Sequence, residues 1–151
     1  SLTSKSGHVF HVTNTHAIIT LSGVDIVNED AGSVLLSVCD DGWDGGKNHA
    51  ELNASTQTLS GAILVGSNAT LSLSLTDGSS FTGSITGEIV NSKGDTVSTE
   101  AGEVSVTLDE DSTWTLTADS YVTSFTGNAE QVIANGYTLY VNGAALEGTK
   151  A

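Results

Sequence analysis

Short runs in which apolar and polar residues alternate recur along the whole chain, each closed by Gly, Asn, Asp or Ser. A period of two turns one face of a strand toward a core and the other toward solvent. The pattern predicts strands at His8–Val12, Ala17–Leu21, Val24–Val27, Ser33–Cys39, Glu51–Asn53, Ala62–Val65 and Ala69–Leu75. It predicts six more at Ser80–Ile85, Glu103–Leu108, Thr113–Thr117, Tyr121–Phe125, Gln131–Ile133 and Tyr137–Val141. These runs are rich in β-branched residues. No stretch carries apolar residues at helical spacing over a useful length, so the predicted class is all-β.

Two segments repeat one another. Leu73-Ser-Leu-Thr-Asp-Gly-Ser-Ser-Phe81-Thr is echoed by Val106-Thr-Leu-Asp-Glu-Asp-Ser-Thr-Trp114-Thr, with Leu75 matching Leu108 and Phe81 matching Trp114, each 33 positions on. Such an echo marks a solenoid, in which each coil buries its apolar side only against its neighbours. A sandwich or barrel would also suit short, evenly spaced strands. Three features favour the parallel β-helix. Ser and Thr occupy matching places in the echo, aromatic residues make up only 5% of the chain, and Asn14, Asn28, Asn135 and Asn142 flank strands, where amides stack at corners and tolerate left-handed backbone. With roughly 20–25 residues per coil, the chain makes about six or seven coils, a rod on the order of 30 Å tall. Residues 1–151 read as one domain, without a linker.

Composition supports this picture. Proline is absent, as suits a ladder that uses every backbone N–H. Methionine is absent too, so the chain is expected to be a processed product or an excised piece. Eighteen acidic residues face four lysines and no arginine, for a formal net charge of -14. That field opposes nucleic acid, anionic membrane surfaces and anionic polysaccharides. No apolar run has the length of a membrane span, so no membrane insertion is expected. Cys39 is the single cysteine, which precludes an internal disulfide, and its apolar run Val34–Cys39 marks a buried structural thiol.

The rhythm breaks at Asp40-Asp-Gly-Trp-Asp-Gly-Gly-Lys-Asn48, which reads as a projecting loop, and at Asn91–Thr96, which reads as a longer turn. The first is the leading candidate site. Asp40, Asp41 and Asp44 with the Asn48 amide are hard oxygen ligands of the kind calcium takes, although the spacing matches neither an EF-hand nor a calcium-binding β-roll. Three readings stay open: a plain acidic loop with Trp43 tucked over the solenoid wall, a structural calcium site at Asp40, Asp41 and Asp44, or an exposed Trp43 on which a sugar ring stacks. His8, His11, His16 and His49 read as ordinary surface or corner histidines: His8 and His11 point to opposite faces of one strand, and His16 is placed in a turn. Asp109-Glu-Asp111 forms an acidic turn opposite Asp77 of the other copy, with nothing nearby in sequence to orient it for glycosidic hydrolysis. No serine lies in a Gly-x-Ser-x-Gly elbow. Asn53-Ala-Ser and Asn68-Ala-Thr match the short glycosylation sequon.

Several phrases carry a resemblance. Val9-Phe-His-Val-Thr-Asn-Thr-His-Ala-Ile-Ile-Thr-Leu21, Trp43 in its Gly-rich loop, Gln57-Thr-Leu-Ser-Gly61, Ser112-Thr-Trp-Thr-Leu-Thr-Ala-Asp-Ser-Tyr-Val-Thr123 and Asn135-Gly-Tyr-Thr-Leu-Tyr-Val-Asn-Gly143 span nearly the whole chain. Together they resemble the C-terminal half of secreted right-handed β-helix proteins of gut and anaerobic bacteria, commonly labelled carbohydrate-binding-domain proteins. The resemblance implies a right-handed parallel β-helix, an extracellular location and further coils before His8. It implies no catalytic residues, and the acidic Asp40, Asp41 and Asp44 depart from a more neutral loop. Ser1–Gly7 shows no cap or polar strand pattern, so an open coil end is expected, suited to a preceding coil or to end-to-end self-association. The resulting expectation is a non-enzymatic adhesion or glycan-contact module of a secreted or cell-surface protein, taking neutral rather than acidic glycans. A structural fibre or stalk subunit is the first alternative and a polysaccharide-degrading β-helix enzyme the second.

Overall fold

In a computed structural model of the chain, residues 1–29, 34–40, 48–90 and 94–151 are described. Their strands gather into three main parallel sheets, with no α-helix among the described residues. The long sheet stacks Thr15–Ser22, Asn48–Ser55, Thr70–Thr76, Glu103–Leu108 and Ser124–Thr126. The aromatic sheet stacks Thr58–Ser60, Ser80–Gly83, Thr113–Leu116 and Val132–Ile133. The third stacks Phe10–Val12, Val34–Val38, Ala62–Val65 and Ile85–Thr86. From Ala62 to Thr86 the chain visits the third, long and aromatic sheets and returns to the third, pairing each time with the strand one circuit away. This parallel all-β stack is compatible with a β-solenoid.

A strand cannot close hydrogen bonds within itself, so the ladder N–H and C=O groups of these sheets pair with the circuit on either side. Parallel register then lines up inward side chains in columns. Ile19, Leu52, Leu73, Val106 and Phe125 form one, and Leu21, Ala54, Leu75 and Leu108 another. The expected echo is a direct pairing: Leu75 lies beside Leu108 and Phe81 beside Trp114. The Phe81 and Trp114 rings stack with centroids 5.6 Å apart. Trp114 is fully buried, and its indole N–H donates to the Gly83 carbonyl at 3.0 Å. A Cβ on Gly83 would come within 2.1 Å of the Gly61 carbonyl oxygen, so glycine alone lets the two circuits approach here.

Polar side chains tie the corners. Asp77 accepts from the Ser55 hydroxyl at 2.7 Å and donates its own N–H to the Asp109 carboxylate at 2.8 Å. Asp109 also accepts from the Ser112 hydroxyl at 2.7 Å. The expected acidic turn therefore serves as a corner clamp. Buried Gln57 grips both backbone groups of Val24, accepting from its N–H at 2.7 Å and donating to its C=O at 2.6 Å. Gln131 does the same work lower down, donating to the carbonyls of Asp109 and Ser112. Asn14, Asn135 and Asn142 adopt the expected left-handed backbone, at φ 53°, 53° and 49°. Asn28 does not; its side-chain amide donates to the Val34 carbonyl instead.

Several boundaries differ from expectation. Leu2–Ser4 is a strand, paired in parallel with Ile26–Asn28, although Ser1–Gly7 carries no strand pattern. Ser80–Ile85 and Tyr121–Phe125 each divide in two, because a corner turns the chain onto another sheet without a break in apolar alternation. At the second corner, Thr123 Oγ1 both accepts from the Val104 N–H and donates to the Val104 carbonyl. Residues 91–93 of the expected longer turn Asn91–Thr96 lie outside the described residues; on either side of them Ile89–Val90 and Thr96–Ser98 pair antiparallel, an excursion from the parallel stack. This excursion is why Leu73 to Val106 spans 33 residues while Leu52 to Leu73 takes 21 and Val106 to Phe125 takes 19.

Trp114→Ala should lower unfolding free energy by about 3–5 kcal/mol, the usual loss for a buried indole. Trp114→Phe keeps a ring against Phe81 but removes the shorter of the two donors to the Gly83 carbonyl, leaving the Thr117 N–H at 3.4 Å and costing roughly 1–2 kcal/mol. Urea titrations followed by far-UV circular dichroism would rank them; equal midpoints for wild type and Trp114→Phe would refute the role of the indole bond. The Ser112 hydroxyl, followed by the Asp77 N–H, holds the Asp109 carboxyl below its ordinary value of 3.8. A depressed folded value means this contribution is complete above the unfolded value and lost as pH falls through the folded one. Stability measured from pH 6 downward should therefore drop less steeply in the acid limb for Asp109→Asn than for wild type, and parallel curves would exclude this coupling.

Candidate functional site

The hairpin excursion leaves and rejoins the stack at one point. A Cβ on Gly87 would stand 1.9 Å from the Ala101 nitrogen, so the two ends of the excursion touch only because residue 87 is glycine. Ser98 secures the stem from below: its hydroxyl oxygen accepts from the Ser67 N–H at 2.9 Å and its O–H donates to the Glu100 carbonyl at 3.0 Å. Beside this stem lies an open cleft of about 690 Å³. Thr86, Glu88 and Glu100 line it from the hairpin side of the sequence, and Asp119, Tyr121 and Thr123 from the strand Ser120–Val122 and its flanks.

The strand that carries Tyr121 is placed by its inward neighbours. Ser120 and Val122 are buried, and the Ser120 hydroxyl oxygen accepts from the Ile85 N–H at 3.0 Å. Alternation turns Tyr121 outward, 45% exposed. Its register partner is Tyr140, and the two rings stack nearly parallel, with centroids 5.2 Å apart and planes 8° apart. Tyr121 thus presents an aromatic ring whose tilt is fixed by a second ring. Asp119 is held by the Thr138 N–H, which donates to its carboxylate at 2.9 Å. Glu88 and Glu100 are exposed, and no lysine lines the cleft among the described residues. The combination offers hydrogen-bond acceptors and an apolar ring, suited to a neutral ligand rich in hydroxyl donors.

No family model, curated protein or solved structure matches the chain. What the cleft takes is therefore read from its chemistry.

Of the residues singled out in the sequence, Asp41, Trp43 and Asp44 lie outside the described residues. Asp40 and Asn48 are described and both have partners within the protein. Asp40 accepts from the Asn68 side-chain amide at 3.1 Å. Asn48 is buried at the start of its strand, where its side-chain oxygen accepts from the Asn14 N–H at 2.8 Å. That bond caps a corner, the task expected of asparagines elsewhere in the chain.

A second constellation lies on the outward face of the long sheet. His16 belongs to the strand Thr15–Ser22 rather than to a turn, and pairs in register with His49. Their rings lie 4.2 Å apart, and Glu51, two residues beyond His49, faces the same side. Glu51 Oε1 is 3.5 Å from His16 Nε2 and 4.0 Å from His49 Nε2. Among the described residues these three make the one convergence of His, Cys, Asp or Glu donors, with ligand atoms within 4.8 Å of one another. Reading each histidine on its own strand conceals this cluster. The available signal is the dipeptide His-Ala at both 16–17 and 49–50, at the same 33-residue interval as the Leu75/Leu108 echo. Tyr121 and Tyr140 are likewise one register step apart, a relation visible only once the turn length is known.

Proposed function

We propose that the chain is a right-handed parallel β-helix module of about six unequal coils that contacts neutral glycans on behalf of a secreted or cell-surface bacterial protein. Its handedness follows the strong preference of parallel crossover connections for the right hand. The observation that carries the ligand reading is the fixed Tyr121 ring beside the carboxylates of Glu88, Glu100 and Asp119 in one cleft. A pyranose stacks its apolar face on such a ring while its hydroxyls donate to the carboxylates. The net charge of -14 opposes uronates and other anionic glycans. Binding without cleavage is the better reading, since hydrolysis requires one carboxyl shielded enough to keep a proton as acid, and Glu88 and Glu100 are both exposed.

Self-association is a second reading, favoured by the strand Thr15–Ser22. It is eight residues long and pairs on one side only among the described residues, with Ile18 64% exposed. Such an edge accepts a further parallel strand, from a preceding coil or from a second copy. No helix among the described residues is long and apolar enough to cross a membrane.

Neutral and uronate glycan arrays, followed by calorimetry on any hit, test the first reading. Tyr121→Ala should weaken the neutral ligand by about tenfold or more, as loss of a central aromatic contact does. Unchanged affinity in Tyr121→Ala with loss in Trp43→Ala would move the site to the Asp40–Asn48 loop, and preferential uronate binding would refute the charge assignment. Sedimentation velocity over a hundredfold concentration range tests the second reading: species growing with concentration in wild type, and less in Ile18→Lys, are expected, whereas a monomer throughout would end it.

A further inference from the structure

We propose that His16, His49 and Glu51 form a binding site for a divalent transition cation of the zinc class, spanning two adjacent strands of the long sheet. The triangle is dictated by the backbone. Parallel register sets His16 beside His49, about 4.8 Å away across the ladder, while the two-residue period returns Glu51 to the same face. No long, flexible side chain has to reach across a void.

The distances suit a small cation. Zinc binds histidine nitrogen and carboxylate oxygen at about 2.0–2.2 Å, so two donors on a tetrahedral ion stand roughly 3.3–3.5 Å apart. His16 Nε2 and Glu51 Oε1 are already at 3.5 Å, and His49 Nε2 is 4.0 Å from the same oxygen. Small rotamer adjustments bring all three donors onto one ion.

An independent observation points the same way. His49 Nε2 is shielded from solvent and has no hydrogen-bond partner. Buried polar atoms are nearly always satisfied, and one left alone calls for an explanation such as an ion. Here the orphaned nitrogen is aimed at the carboxylate it would share an ion with, and the His16 ring lies over it. Two imidazoles and one carboxylate form a borderline donor set that selects zinc and its neighbours over calcium and magnesium, which prefer oxygen alone. Three protein donors leave a fourth position for water or an external ligand. The acidic chain draws cations toward the face. The cleft beside Tyr121 shares no residue with this site, so the inference stands apart from the glycan reading.

The test uses the full chain, freed of metal by a chelator and titrated with zinc chloride by calorimetry, with cobalt(II) absorbance as a second readout. One equivalent should bind saturably, cobalt should show the intense visible bands of a four-coordinate site, and zinc should raise the melting temperature in a concentration-dependent way. His16→Ala and His49→Ala should each weaken binding by more than about tenfold, a loss that even an outer partner of a metal ligand produces. All three side chains point outward, so circular dichroism should show both variants folded. A His8→Ala/His11→Ala double variant, which removes the other histidine pair, should bind as wild type. The proposal is overturned by the absence of saturable one-to-one binding, by wild-type affinity in His49→Ala, or by loss of binding in the His8/His11 double variant.

Discussion

Every feature of this molecule depends on in-register parallel pairing between successive circuits of the chain. The strands are too short to be stable singly, and their backbone groups are satisfied only by the circuits on either side. The same pairing sets like on like. Leu52 lies beside Leu73 and Leu73 beside Val106, so the core is a set of continuous columns rather than a cluster collected from distant elements. Phe81 on Trp114, Asp77 on Asp109 and Tyr121 on Tyr140 are the aromatic, polar and exposed versions of one relation.

Strict stacking leaves little room for variation within a rung, and surplus length has to leave the stack between rungs. Close approach of Gly87 to Ala101 lets the chain leave the stack and rejoin it without displacing Glu103–Leu108 from its place beside Thr70–Thr76. Residues at the two ends of the excursion, among them Glu88 and Glu100, line one wall of the cleft. A parallel stack of this kind separates the two tasks: the rungs supply a regular frame, and the departures from regularity supply shape. Placing Tyr121 on a rung and Glu88 and Glu100 on the excursion combines a fixed ring with acceptors outside the stack.

Charge acts at two levels. Globally, eighteen acidic side chains against four lysines and no arginine give the chain a negative field that repels anions and attracts cations. Locally, carboxylates take distinct roles according to what surrounds them. Asp109 is engaged by hydroxyl and amide donors and holds a corner; Glu51 lies among imidazoles; Glu88 and Glu100 face open solvent in the cleft. Composition treats these residues alike, and position distinguishes them.

Local pattern determined a good deal by itself. Alternation of apolar and polar residues gave away the all-β class and most strands, since the period of two is a property of each segment alone. The Leu75/Leu108 and Phe81/Trp114 pairs were legible because both copies carry the same excess length between them, and Asn14, Asn135 and Asn142 because left-handed backbone is a local preference. Corners at Ser84 and Thr123 were not legible, since apolar alternation runs straight through a turn from one sheet to the next. Nor was the strand Thr58–Ser60, which has one apolar residue, Leu59, and owes its place to the column it joins. The His16–His49–Glu51 triangle and the Tyr121–Tyr140 stack belong to the same class. Which residues become neighbours across a parallel ladder depends on the number of residues in each circuit, and unequal circuits of 19, 21 and 33 residues make that number a property of the assembled stack rather than of any segment within it.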